Sequence, residues 1–181
     1  IARKPGQTRL DLAQTNVNII KSITPNITKY APDAIYLFVS NPVDILTYVF
    51  TKVSGLPEKQ IIGSGTILDT ARLRARLADI FINQQNVHAY VFGEHGDSSF
   101  VPWSVGSVPI DKYSECLTEK DVVIPKLVHS EVENYIRKSG AKIIERKGAT
   151  FYAVAVSVCH ICKCIFSGAD TTMTVSSMMH G

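Results

Sequence analysis

Ile35-Tyr36-Leu37-Phe38-Val39 is an unbroken apolar run closed by Ser40-Asn41-Pro42, and it constrains the fold more than any other stretch of the chain. Five successive apolar residues offer no side to water, so the run reads as a strand covered on both faces, the situation of a parallel sheet between helices. The next forty residues or so fit that arrangement. Asp44 to Lys52 reads as a helix, Ile61-Ile62 as a second short strand, and Gly63-Ser64-Gly65 as a turn. Leu68 to Ile82 then reads as a helix with Leu73, Leu77 and Ile80 on one side. Ahead of the run, Leu10, Ala13, Val17 and Ile20 recur at spacings of three and four, predicting an amphipathic helix over 10–24 that Pro25 ends or kinks. Alternating strands and helices predict an α/β chain, part of a doubly wound parallel sheet whose ligands sit outside the carboxyl ends of its strands.

Beyond residue 98 the pattern changes. Val101 to Val108 is strand-like, and Glu119 to Lys147 is mostly helical, with Val122, Leu127, Val132 and Ile136 on a recurring stripe. The expectation is a first domain over 1–65 and a second, α+β domain over 66–181.

Composition narrows the function. The net charge of +3 is small and the basic residues are scattered among acids, so there is no electrostatic footprint for nucleic acid. No apolar run reaches the roughly 20 residues that span a bilayer, and Ile1-Ala2-Arg3-Lys4-Pro5 lacks a signal-peptide pattern, so the expected location is the cytoplasm. The chain opens without Met and reads as an internal fragment. Cys159, Cys162 and Cys164 have tight ligand-like spacing, but no second pair completes a zinc site. They lie in Phe151 to Phe166, which reads as a buried helix where free cysteine acts as a small hydrophobe; neither a metal nor a disulfide is expected.

The candidate for chemistry is His95 in Gly93-Glu94-His95-Gly96-Asp97-Ser98, after the apolar run Val87 to Phe92. That context predicts the end of a buried strand delivering an imidazole, the side chain titrating nearest neutrality, into an uncrowded turn. Asp69 and Arg72 stand three apart at the start of a predicted helix and share a face. A surface ion pair is one reading of them. The other is a carboxylate that orients His95 and an arginine that grips a substrate carboxylate in a bidentate fork. Arg3-Lys4-Pro5-Gly6-Gln7-Thr8-Arg9 reads as a basic loop, either solvated or a mobile lid carrying charge over an anion.

Five segments, in order, resemble successive signatures of the L-lactate dehydrogenases, within the lactate/malate dehydrogenase family. They are Lys4 to Leu12, Val39 to Thr47, Gly63 to Arg72, Gly93 to Ser98 and Lys147-Gly148-Ala149-Thr150. The resemblance implies that 1–65 is the C-terminal part of a Rossmann dinucleotide-binding domain with an active-site lid, and that 66–181 is the substrate domain. It implies hydride transfer between NAD and a small 2-oxo or 2-hydroxy acid, pyruvate and (S)-lactate foremost, in fermentative glycolysis. His95 would be the acid/base, Asp69 the partner of its charged form, Arg72 the anchor for the substrate carboxylate, and Arg9 on the lid the group that polarises the carbonyl. Asn41 would touch nicotinamide and substrate, with a cis bond to Pro42, and Thr150 would line the substrate pocket. Val39, Ser40, Ser64 and Ser22 would lie near the cofactor. Arg74 and His88 match positions that bind fructose 1,6-bisphosphate in allosteric bacterial enzymes, and the family assembles as homotetramers.

Two departures stand out. The GxGxxG turn and the acidic residue that reads the ribose are absent from the chain. Arg3 occupies the lid position where malate enzymes carry arginine, and the second carboxylate of oxaloacetate would neutralise it there. Glu94 and Thr150 resemble the lactate branch instead, and an Arg3 turned outward on a flexible lid stays solvated. Lactate is the expected substrate, malate the alternative, and an inactive structural module the reading from a different class.

Overall fold

A computed structural model of the chain describes residues 9–81, 87–105 and 128–180. It divides into two compact units, Ile1–Gly65 with Val175–Gly181, and Thr66–Thr174.

The first unit runs α1 (Arg9–Tyr30), β1 (Tyr36–Phe38), α2 (Val43–Ser54), a 3-10 turn (Glu58–Gln60) and β2 (Ile61–Gly63). The strands pair in parallel, Tyr36 opposite Ile61 and Phe38 opposite Gly63, with α2 as the crossover. Val43, Leu46, Thr47 and Phe50 recur at three and four, so α2 buries one face. The Phe50 ring packs 4.9 Å from that of Tyr36 and 4.8 Å from that of Phe38.

One expectation for this unit is narrowed and another corrected. Pro25 does not end α1, which continues through it to Tyr30. Proline removes the donor to the carbonyl of Lys21, but Lys21 is exposed, so water can take that place. The surrounding turns are stitched by Thr24 Oγ1 to Ile20 O (2.6 Å) and Thr28 Oγ1 to Thr24 O (2.9 Å). Nor is β1 covered on both faces: its three residues are half-buried and Ile35 is exposed. Among the described residues its sheet partner is β2 on one edge, and Tyr36 sends its hydroxyl outward to the carbonyls of Ile27 and Ala31 at the end of α1.

The tail returns to this unit. Ser176 forms an antiparallel bridge with Gly63, N–H to O=C at 2.8 and 2.9 Å. Gly65, at φ +51°, lets it pass, because a Cβ there would stand 2.7 Å from Ser176 N and 2.8 Å from the carbonyl carbon of Val175. Both obstacles are backbone. Gly65→Ala is therefore expected to reduce the unfolding free energy by about 2 kcal/mol, through forced positive φ and displacement of the tail. The check is the urea midpoint, which should fall; an unchanged midpoint would mean the tail does not lie there in solution.

The second unit holds α3 (Ile67–Phe81), a 3-10 turn (Trp103–Val105), α4 (His129–Lys147) and α5 (Tyr152–Ser167). Leu73 and Leu77 of α3 meet Val132 and Ile136 of α4, each pair one turn apart. Ala89, Val91 and Val101 complete the buried cluster.

The run 87–92 is not a regular strand. Among the described residues its single ladder contact is the antiparallel bridge Phe92–Phe100. Side chains at and just before the start of α3 take three of its backbone groups instead: Thr66 Oγ1, one residue ahead of the helix, donates to Val91 O (2.5 Å), and on the helix Thr70 Oγ1 accepts from Val91 N (2.9 Å) and Arg74 Nε donates to Ala89 O (3.0 Å). Ala89 and Val91 are buried as an apolar run requires, yet a helix supplies the hydrogen bonds a neighbouring strand would have supplied. Similarly, 101–105 forms no strand but turns into the 3-10 segment at Trp103, while 106–108 and 119–127 lie outside the described residues. Helix α5 is not buried. Ser157 and Ile161 alone are enclosed, because one narrow stripe of it packs on α3, and Phe166 is 88% exposed. Cys159 is exposed and Cys162 and Cys164 are half-exposed free thiols.

Candidate active site

Asp69 occupies the first turn of α3, with both neighbouring charges within reach of its carboxylate. His95 Nδ1 lies 2.6 Å from Asp69 Oδ2, and Arg72 Nη1 donates to Asp69 Oδ1 at 3.2 Å, one helical turn on. An ionised carboxylate only accepts, so Nδ1 carries the imidazole proton in this pair and Nε2 is the nitrogen that exchanges protons with a ligand. The surface ion-pair reading fails on burial, since the Asp69 side chain is 8% exposed and that of Arg72 16%. A carboxylate so enclosed requires compensation, and the Arg72 guanidinium and the His95 ring supply it.

Local structure presents His95 to this carboxylate. The bridge between Phe92 and Phe100, with N···O distances of 2.9 and 3.0 Å, pinches the ends of the turn together. Gly93 enters it at φ +87°, a conformation that a side chain would strain. Ser98 Oγ donates to Glu94 Oε2 across its outer side (2.8 Å). The imidazole itself is 28% exposed, half-sheltered yet reachable. Helix α4 passes this group at Gly140, where a Cβ would come within 3.9 Å of Arg72 Nη2. The three residues expected to act together are thus brought together.

In the first unit, Val39, Ser40 and Asn41 leave the carboxyl end of β1 and Ser64 leaves that of β2. Ser64 N donates to Phe38 O at 2.8 Å, prolonging the ladder so that Ser64 sits at the root of the Val39–Asn41 segment. The Asn41–Pro42 bond is cis, as expected. These are neutral donors and acceptors, an amide and two hydroxyls at the mouth of a parallel pair, and they fit the nicotinamide and ribose end of a dinucleotide, which carries no anionic group, better than its phosphates. Ser22 lies exposed on α1 and donates to Ile19 O. Sequence reasoning missed Asn16, whose Nδ2 donates to Asn41 O at 2.9 Å while the residue is 5% exposed. A polar residue in the inward row with Ala13, Ile20 and Thr24 was the signal.

Arg9 begins α1, its side chain outside what is described, and Arg3 lies outside the described residues. Thr150 is exposed just after α4, and among the described residues no hydrogen bond joins it to Asp69, Arg72 or His95. Arg74 bonds Ala89 O and lies 4.9 Å over the Tyr90 ring, which sets it against the segment that carries exposed His88. Among the described residues no group of His, Cys, Asp or Glu is arranged to hold a metal ion.

Comparison with known proteins points to one family. Residues 1–63 match the profile described as lactate/malate dehydrogenase, NAD binding domain, and residues 66–181 the profile for the lactate/malate dehydrogenase alpha/beta C-terminal domain. L-lactate dehydrogenase 1 of Clostridium acetobutylicum is 45% identical over 185 residues, covering 99% of the chain and 58% of the relative. The crystal structure of MGS-M5, a lactate dehydrogenase enzyme from a Medee basin deep-sea metagenome library, superimposes with TM-score 0.89 at 37% identity, covering all of this chain and 58% of that one. Malate dehydrogenase from Archaeoglobus fulgidus, solved in complex with NADH, superimposes with TM-score 0.83 at 34% identity, over 100% of this chain and 56% of that one. The chain therefore spans somewhat more than half the length of the relatives it matches.

Proposed function

The chain belongs to the lactate/malate dehydrogenase family, and from that premise we propose that it carries the acid/base and substrate-binding half of an NAD-dependent L-lactate dehydrogenase, interconverting pyruvate and (S)-lactate. The observation that carries the proposal is Asp69, buried between His95 and Arg72. Reduction of a 2-oxo acid needs a proton for the ketone oxygen and a cation for the carboxylate, and these two residues supply them from one carboxylate's neighbourhood.

Nicotinamide chemistry supplies or accepts the hydride at C2 of the acid. His95 Nε2 gives its proton to the ketone oxygen as the C–O π bond opens, and takes it back from the hydroxyl in the reverse direction. Asp69 accepts from Nδ1 throughout, fixing the ring and stabilising its cationic form. Arg72 presents its remaining N–H donors to the substrate carboxylate in a planar fork. Arg9 polarises the carbonyl where negative charge develops, and Thr150 borders the substrate. Asn41, Val39, Ser40 and Ser64 take the nicotinamide end of NAD, and Asn41, its own carbonyl held by Asn16, offers its amide to nicotinamide and substrate.

Steady-state kinetics of the complete gene product with pyruvate and oxaloacetate test this reading. Pyruvate should have the higher kcat/KM. About a hundredfold preference for oxaloacetate would assign the malate branch, with Arg3 pairing the second carboxylate. Repeating the assay with fructose 1,6-bisphosphate tests Arg74 and His88 as an allosteric anion site. The proposed assembly is the family's homotetramer. No helix among the described residues is long and apolar enough to cross a membrane, and the cytoplasm is the proposed location.

A further inference from the structure

The turn that carries His95 is tied not only to its own bridge but to α4. Arg137 donates twice to one backbone carbonyl, that of Ser99, through Nε at 3.2 Å and Nη2 at 2.6 Å. Ser99 is 5% exposed, and its N–H and hydroxyl both point to the carbonyl of Gly96, the residue after His95, at 3.3 and 2.9 Å. Arg137 is itself braced. Glu133 Oε2 accepts from Nη2 at 3.0 Å, and Glu133 Oε1 accepts from Trp103 Nε1 at 2.9 Å. The Trp103 indole is stacked on the His129 ring at 4.0 Å and 7°.

We propose that Arg137, braced by Glu133 and Trp103, is a positioning residue for the acid/base pair: it locks the Ser99–Gly96 side of the turn to α4 and so fixes the reach of His95 to Asp69. The proposal rests on His95 being the proton donor described above. Asp69 comes from α3 and His95 from the loop, so the 2.6 Å contact holds only while the loop keeps its height over the helix. Phe92–Phe100 fixes where the loop closes, and Ser99 transmits the position of α4 to Gly96. As a stabilising ion pair, Arg137–Glu133 would count for little, since the Arg137 side chain is 30% exposed and the two stand at i,i+4. A forked guanidinium on a single carbonyl gives directional control that a lone donor or a water does not. Misplacement of a catalytic group by about 1 Å is enough to lower turnover by one to two orders of magnitude.

The test compares wild type, R137Q and R137K of the complete gene product by kcat and KM for pyruvate, by Tm, and by the downfield imidazole N–H proton resonance that a short Nδ1–carboxylate bond produces. The expected result for R137Q is a kcat lower by about tenfold with KM changed by less than about twofold. The downfield resonance should weaken, and R137K, which retains a charged donor, should recover part of both. If R137Q lowers Tm while kcat and the resonance stay at wild-type values, Arg137 is a structural residue and the proposal is overturned; a folded R137K with no recovery overturns it too. Should R137Q fail to fold, R137K and its resonance decide. A wild-type protein that reduces no 2-oxo acid would defeat the dehydrogenase reading, and the resonance in the variants would still answer for Arg137.

Discussion

Replacing His95 by asparagine is expected to lower kcat for pyruvate reduction by about a thousandfold in the complete gene product, while Tm stays near the wild-type value. Asparagine keeps a donor facing Asp69 but has no group that releases a proton near neutral pH, so the ketone oxygen must take its proton from water. Little folding free energy depends on the imidazole. It is partly exposed and contributes nothing to the buried cluster of Leu73, Leu77, Ala89, Val91, Val101, Val132 and Ile136. Loss of activity with an intact melting transition separates a chemical role from a structural one. Activity within about tenfold of wild type would remove His95 as the acid/base, since general acid–base catalysis contributes about a hundredfold or more.

Asp69→Asn should have the second largest effect, a fall of about a hundredfold in kcat/KM for pyruvate, for reasons that differ from those at His95. The amide is nearly isosteric, but it removes the negative charge that favours the imidazolium and lets the ring adopt the other tautomer. It also leaves Arg72 next to a neutral group in a site where its side chain is 16% exposed. Steady-state kinetics measure this, and a kcat/KM within about twofold of wild type would mean that Asp69 does not act through His95.

The fold class is legible in the alternation of strands and helices, and the pairing of Asp69 with Arg72 is more legible than the hydrogen-bond partners of the apolar runs. Asp69 and Arg72 are legible because spacing three apart on a helix is a geometric statement, and Gly93-Glu94-His95-Gly96 because few other contexts leave an imidazole so uncrowded. Their convergence is not legible from spacing alone, since 26 positions separate Asp69 from His95 and only the family resemblance sets them side by side. Apolar runs mislead for a consistent reason. A run such as 87–92 records burial, not the identity of the hydrogen-bond partner, and here Thr66, just ahead of α3, and Thr70 and Arg74 on it supply bonds expected from a strand. The Phe151–Phe166 run shows the opposite error, apolar composition without enclosure, because α5 packs along a single stripe. Asn16 and Arg137 escape a reading by pattern because each acts on a backbone carbonyl far along the chain, and such a contact leaves no periodic mark on either partner.

The central claim is that the proton of His95 and a nicotinamide hydride meet on one small 2-oxo acid. Incubating the complete gene product with pyruvate and NADH deuterated at the transferring position of C4, and reading the product by mass spectrometry and proton NMR, tests it directly. The expected product is (S)-lactate bearing one deuterium on C2, with its formation suppressed in the His95→Asn protein. Lactate formed without deuterium at C2, or formed as fast by the asparagine variant as by wild type, would contradict it.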